Sequence, residues 1–114
     1  LYSNVFENLT YLEELYMSEN YFTDNSFELK ELKSLKILHL ANNKLVSIDN
    51  RTFFGLNIKF LDLSDNFELK AVNLEKESLQ SLNLNNNTKI NYLKLNFDNL
   101  NVLNARNISK NALD

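Results

Sequence analysis

The sequence predicts an α/β solenoid: a curved horseshoe with a parallel β-sheet on its concave side and an irregular or short-helical convex side. Three observations lead there. Leucine and asparagine supply 23 and 21 of the 114 residues, a bias that points to a repeated local pattern. The pattern LxxLxLxxN recurs in phase, with its fourth position at Leu15, Leu38, Leu61, Leu82 and Leu103, so the steps are 23, 23, 21 and 21 residues. The chain holds one Gly and no Pro, which argues against a fold of tight glycine turns or a glycine-rich phosphate loop. An apolar fraction of 44% is enough for a packed core.

The pattern assigns each element in turn. Leu15 and Met17 alternate with Glu14, Tyr16 and Ser18, the period of a strand with one buried face. The same alternation returns at Leu38/Leu40, Leu61/Leu63 and Leu82/Leu84. Strands are expected around residues 14–17, 37–40, 60–63, 81–84 and 102–105, stacked in one parallel sheet. Asn20, Asn43, Asn66 and Asn87 follow at the turn out of each strand. There an amide can bond backbone groups that the sheet does not satisfy, so these four should form a structural ladder. In the fifth unit Ile108 stands at the ladder place, which means that the series ends or shifts its register to Asn107. On the returning side, Phe6/Leu9, Leu29/Leu32 and Phe53/Leu56 are apolar pairs three apart that would fill the interior. The last two units lack such a pair, so their convex side should be thinner and more extended.

Little in the chain suits catalysis. The lone imidazole is His39, expected to point out of the second strand beside Asp62 of the next, and there is no cysteine. One imidazole and no thiol are poor material for a hydrolase triad or a zinc site, and His39 reads instead as a surface contact residue or a bystander. The aspartates form no calcium-loop pattern, and Glu13/Glu14 and Glu75/Glu77 read as solvated edges. The expectation is no enzyme, no metal and no cofactor. A net charge of −3 and a pI near 5.2 offer no basic stripe for nucleic acid. No apolar run is long enough to cross a bilayer, so no membrane contact is expected.

Function must then sit on the variable positions of the strands. Reading outward gives three rows on the concave face: Glu14, Ile37, Phe60, Ser81, Val102; then Tyr16, His39, Asp62, Asn83, Asn104; then Ser18, Ala41, Ser64, Asn85, Arg106. Ile37 and Phe60 are large apolar groups side by side on an open sheet, which suggests an interface. Tyr16, Ile37, His39, Phe60 and Asp62 are the expected partner-binding residues. The partner is expected to be a protein, and dimerisation is left open. N-x-S/T acceptor sequons begin at Asn8, Asn50, Asn86 and Asn107.

The first three units read xxxFxxLxxLxxLxLxxNxL, as in VFENLTYLEELYMSEN (residues 5–20) and FFGLNIKFLDLSDN (residues 53–66). This is the leucine-rich repeat consensus, and it resembles the extracellular repeats of Toll-like receptors and of secreted insect immune proteins. The Asn-rich, shortened later units resemble mosquito leucine-rich immune proteins. The resemblance implies an extracellular recognition module of innate immunity, a secreted or receptor-ectodomain glycoprotein that binds a protein through its concave face or an edge. Such proteins usually carry cysteine-clustered caps. Residues 1–114 are therefore expected to be a single array of about five repeats, an uncapped part of a longer solenoid. The alternative is a structural or adhesive repeat scaffold, either intracellular or on a microbial surface.

Overall fold

The structure is a computed structural model that describes residues 5–23, 29–96 and 98–109. Its elements in chain order are β1 (Glu14–Tyr16), β2 (Ile37–His39), β3 (Ser47–Ile48), β4 (Phe60–Asp62), β5 (Ala71–Leu74), β6 (Ser81–Asn83), β7 (Tyr92–Leu95) and β8 (Val102–Asn104). The chain winds as a parallel-strand solenoid of about four turns.

The first sheet runs β1-β2-β4-β6-β8, every pair parallel. Its register aligns Leu15, Leu38, Leu61, Leu82 and Leu103 on one line, as the repeat spacing requires. Each strand ends one residue earlier than the sequence suggests. Leu38, Leu61 and Leu82 are buried, as are Leu40, Leu63 and Leu84, which follow their strands by one residue. Leu15 and Leu103, on the two outermost strands, are only half-buried and pack against the core's margin.

A second parallel sheet, β3-β5-β7, lies on the returning side. Its apolar residues alternate like those of the first: Ile48, Val72 and Leu74 are buried while Ser47, Ala71 and Asn73 face outward and are half-buried. The extended convex side expected of the last two units is β5 and β7; β3, in a longer unit, pairs with β5 and is not among the expected strands. The short-helical alternative, and with it the α/β class, is not shown: among the described residues there is no helix. The convex stretches of the longer repeats close as single turns, through Leu9 N–H to Phe6 C=O (3.2 Å), Leu32 N–H to Leu29 C=O (2.9 Å) and Leu56 N–H to Phe53 C=O (3.2 Å). One turn satisfies the spacing of each apolar pair, and the next residues must already cross back to the sheet, so no helix can propagate from it.

The turn out of each strand is set by backbone conformation. Glu19, Asn42, Asp65, Asn86 and Asn107, each one residue before the ladder position, all have φ between 55° and 66°. Asn and Asp tolerate this left-handed region better than other side chains, which accounts for four of the five. Gly55 (φ 81°) and Asn8 (φ 70°) likewise hold the third place of the turns Phe53–Leu56 and Phe6–Leu9. Because Asn107 takes the left-handed place, the fifth unit does not shift its register. Ile108 sits at the ladder position, half-buried against the core.

The ladder itself is built as a relay. The Asn43 amide donates to Met17 C=O (3.0 Å) of the preceding repeat and to Leu40 C=O (3.1 Å) of its own. Asn66 repeats this with Leu40 and Leu63, and Asn87 with Leu63 and Leu84. In return each side-chain oxygen accepts a backbone N–H from the repeat before: Phe22 to Asn43, Asn43 to Asn66, Asn66 to Asn87. These three asparagines are buried. Asn20 makes the local half of the pattern, to Met17 C=O and Ser18 C=O, but is exposed.

Candidate concave interface

Side chains that alternate with the buried leucines must leave the sheet on its other face. The register therefore stacks Glu14, Ile37, Phe60, Ser81 and Val102 in one row, and Tyr16, His39, Asp62, Asn83 and Asn104 in the next. All five sequence-predicted contact residues lie on β1, β2 and β4 and form one continuous surface. Tyr16 (69% exposed) and Phe60 (45%) are open, whereas Ile37, His39 and Asp62 are half-buried between neighbouring rows.

Within that surface the pairings differ from the sequence expectation. His39 lies opposite Asp62 in the register, but its side chain turns the other way. Its ring stacks on Tyr16 with centroids 4.2 Å apart and planes 3° from parallel, and its Nε2 lies 3.2 Å from Glu14 Oε1. The Tyr16 hydroxyl donates to the same Glu14 oxygen at 2.5 Å. Glu14, read from the sequence as a solvated edge, thus orients the pair. The Tyr16 hydrogen bond, then that of His39, holds the Glu14 carboxyl below the usual glutamate range. The same bond to Glu14 raises the Tyr16 phenol. Asp62 instead turns one oxygen to Ser64 N–H at 2.9 Å, and Asn83 does the same to Asn85 N–H at 3.0 Å. Each of these side chains is thus held by a hydrogen bond to a neighbour. Between β2, β4 and β6 they leave a shallow depression of about 210 Å³, lined by Ile37, His39, Phe60, Asp62, Ser81 and Asn83.

The four sequons all lie off the concave strands. Asn8 is exposed in the turn before β1, and Asn50, exposed after β3, accepts from Glu75 N–H at 2.8 Å. Asn86 and Asn107 occupy the turns after β6 and β8, where Asn86 donates to Asp65 (2.8 Å) and Asn107 to Asn86 (3.3 Å). Among the described residues no cluster of His, Cys, Asp or Glu could hold a metal ion, and no helix is long and apolar enough to cross a membrane. What the site offers is a surface with an aromatic stack, an apolar pair and a polar row.

Residues 24–67, which contain β2, β3 and β4, match the family described as leucine rich repeat. Comparison with curated proteins and with solved structures finds no match. Solenoids of this kind are typically non-enzymatic scaffolds for protein interaction. The family match over the central repeats and the parallel-strand solenoid together support a leucine-rich repeat protein.

Proposed function

We propose that the chain is an extracellular recognition module, serving innate immune recognition, that binds a protein partner through the concave surface around Tyr16, Ile37, His39, Phe60 and Asp62. The observation that carries this reading is Phe60: a large aromatic side chain 45% exposed on an open sheet, in register with Ile37 on one side. Aromatic anchors within a polar rim dominate binding energy at protein interfaces. The placement of Asn8, Asn50, Asn86 and Asn107 supports it too, because glycans at these positions would leave the concave face clear. The extracellular and immune assignments rest on those sequons and on the resemblance of the first three repeats to Toll-like receptor repeats.

Two experiments test the reading. A photo-crosslinking side chain placed at position 60 should capture one discrete protein in the native source, while the same group at Phe54, 80% exposed outside the sheet, should not. Capture at position 54 alone would move the interface off the concave face. Secretion from eukaryotic cells should give glycan at one or more of the four sequons, and fully unmodified secreted protein would remove the glycoprotein assignment.

A further inference from the structure

We infer that the rim of the concave sheet at β2 and β4 docks a carboxylate-bearing segment of the protein partner; this rests on the concave reading above. The position just before the Ile37–Phe60 row is filled in successive repeats by Glu13, Lys36, Lys59, Gln80 and Asn101. The sheet places these directly above one another: Lys36 N–H donates to Glu13 C=O and Lys59 N–H to Lys36 C=O, both at 2.8 Å. Lys36 and Lys59 therefore stand on adjacent rungs, about 4.8 Å apart along the stack. Lys33 joins them from the convex turn, its Nζ reaching over Gly55 of the next repeat. With Glu13, Ser34 and Asn57 these lysines line an open depression of about 300 Å³.

The charges there do not balance. Lys36 pairs with Glu13 at 3.0 Å. Among the described residues, no carboxylate pairs with Lys33 or Lys59. Two unpaired cations thus share one depression in a chain whose net charge is −3. Lys33 and Lys59 put like charges on the wall of one depression, and a carboxylate lying between them would relieve their repulsion. The remaining acidic surface disfavours a long polyanion, whose affinity depends on many phosphate contacts. A short acidic segment suits two cations. Ile37 and Phe60 follow Lys36 and Lys59 by one residue, so a segment crossing β2 and β4 meets positive charge and then an apolar anchor. The partner segment accordingly presents Asp or Glu next to a large apolar side chain.

The test is an amide NMR titration of the full chain with two capped peptides, one alternating glutamate with phenylalanine and the other glutamine with phenylalanine. The glutamate peptide should shift the amides of Lys33, Lys36, Ile37, Lys59 and Phe60 and bind at least about threefold more tightly than the glutamine peptide, the scale of exposed charge pairs. Added salt should erase the difference. So should the double substitution Lys33→Gln and Lys59→Gln. Equal affinity of both peptides for the Ile37 and Phe60 amides would overturn the acidic rim while leaving the concave surface in place. Shifts confined to convex residues, or none at all, would overturn the rim proposal. Only the convex pattern would also count against the concave reading itself.

Discussion

The buried amide of Asn66 donates to Leu40, Leu63 and Ser64 carbonyls while its oxygen accepts from the N–H groups of Asn43 and Leu45. Removing it leaves the buried N–H groups of Asn43 and Leu45 in the preceding repeat without an acceptor, while the Leu40, Leu63 and Ser64 carbonyls keep Asn43, Asn87 and Asn42 as donors. Asn66→Ala should cost about 1–3 kcal/mol in chemical denaturation, and Asn20→Ala distinctly less, because Asn20 is exposed and water can replace it. Equal losses would mean that the ladder's value is local to each turn. The ladder was legible in the sequence because one residue type recurs at a fixed place in a strict pattern. The left-handed residue just before it was not read, although Asn42, Asp65, Asn86 and Asn107 carried the signal in their chemistry. Glu19 is the exception, a glutamate at φ 61°. Glu19→Asn should therefore stabilise the chain by up to about 1 kcal/mol, since Asn relieves part of the strain a longer side chain meets there. An unchanged or lower denaturation midpoint would contradict that account.

Strand register decides which face each side chain serves, and β4 is where it can be tested. Leu61 is buried between Leu38 and Leu82 of the flanking strands. Leu61→Ala leaves a cavity there and should cost about 2–5 kcal/mol. Asp62→Ala gives up a single half-exposed bond to Ser64 N–H and should cost less than about 1 kcal/mol. At β1 and β2 the test is pH. The Glu14–Tyr16–His39 group needs Glu14 ionised and Tyr16 protonated. Glu14 is depressed, so its contribution is fully present above the ordinary glutamate range and is lost as pH falls through the folded value. Tyr16 is raised, so its contribution is present below the ordinary phenol range and is lost as pH rises through the folded value. NMR titration should show the Tyr16 and His39 ring signals moving with the Glu14 carboxyl, and Glu14→Gln should abolish that acid transition. The concave rows were legible because strand alternation fixes direction. The Glu14 pairing was not, because His39 could turn toward either neighbouring strand and the pattern does not say which. The convex sheet was half legible: Val72/Leu74 and Leu93/Leu95 alternate, but strands of two to four residues leave too short a pattern to separate from irregular chain.

Over the whole molecule, 42 × 30 × 19 Å in extent, each turn of the solenoid packs on the turn before and the turn after. Stability in such a stack is close to a sum of repeat terms and nearest-neighbour interfaces. Burial follows the same rule along the stack. Leu38, Leu61 and Leu82 on β2, β4 and β6 are at most 3% exposed, while Leu15 on β1 and Leu103 on β8 are only half-buried. The aromatic interior shows the gradient as well, with Phe53 buried and Phe6 half-buried at the first turn. Within these 114 residues, opening β1 or β8 breaks one strand interface, whereas opening β4 breaks two. Hydrogen exchange should therefore be slowest at the amides of Leu61 and Leu63 and faster at Leu15 and Leu103, with β2 and β6 between. The consequence reaches the binding surface. Phe60 sits on the central strand and Tyr16 on an outer one, so partner binding should slow exchange at β1 far more than at β4. A uniform exchange rate across the five strands would show that the stack opens as one unit, and the concave surface would then be no more ordered at its centre than at its edge.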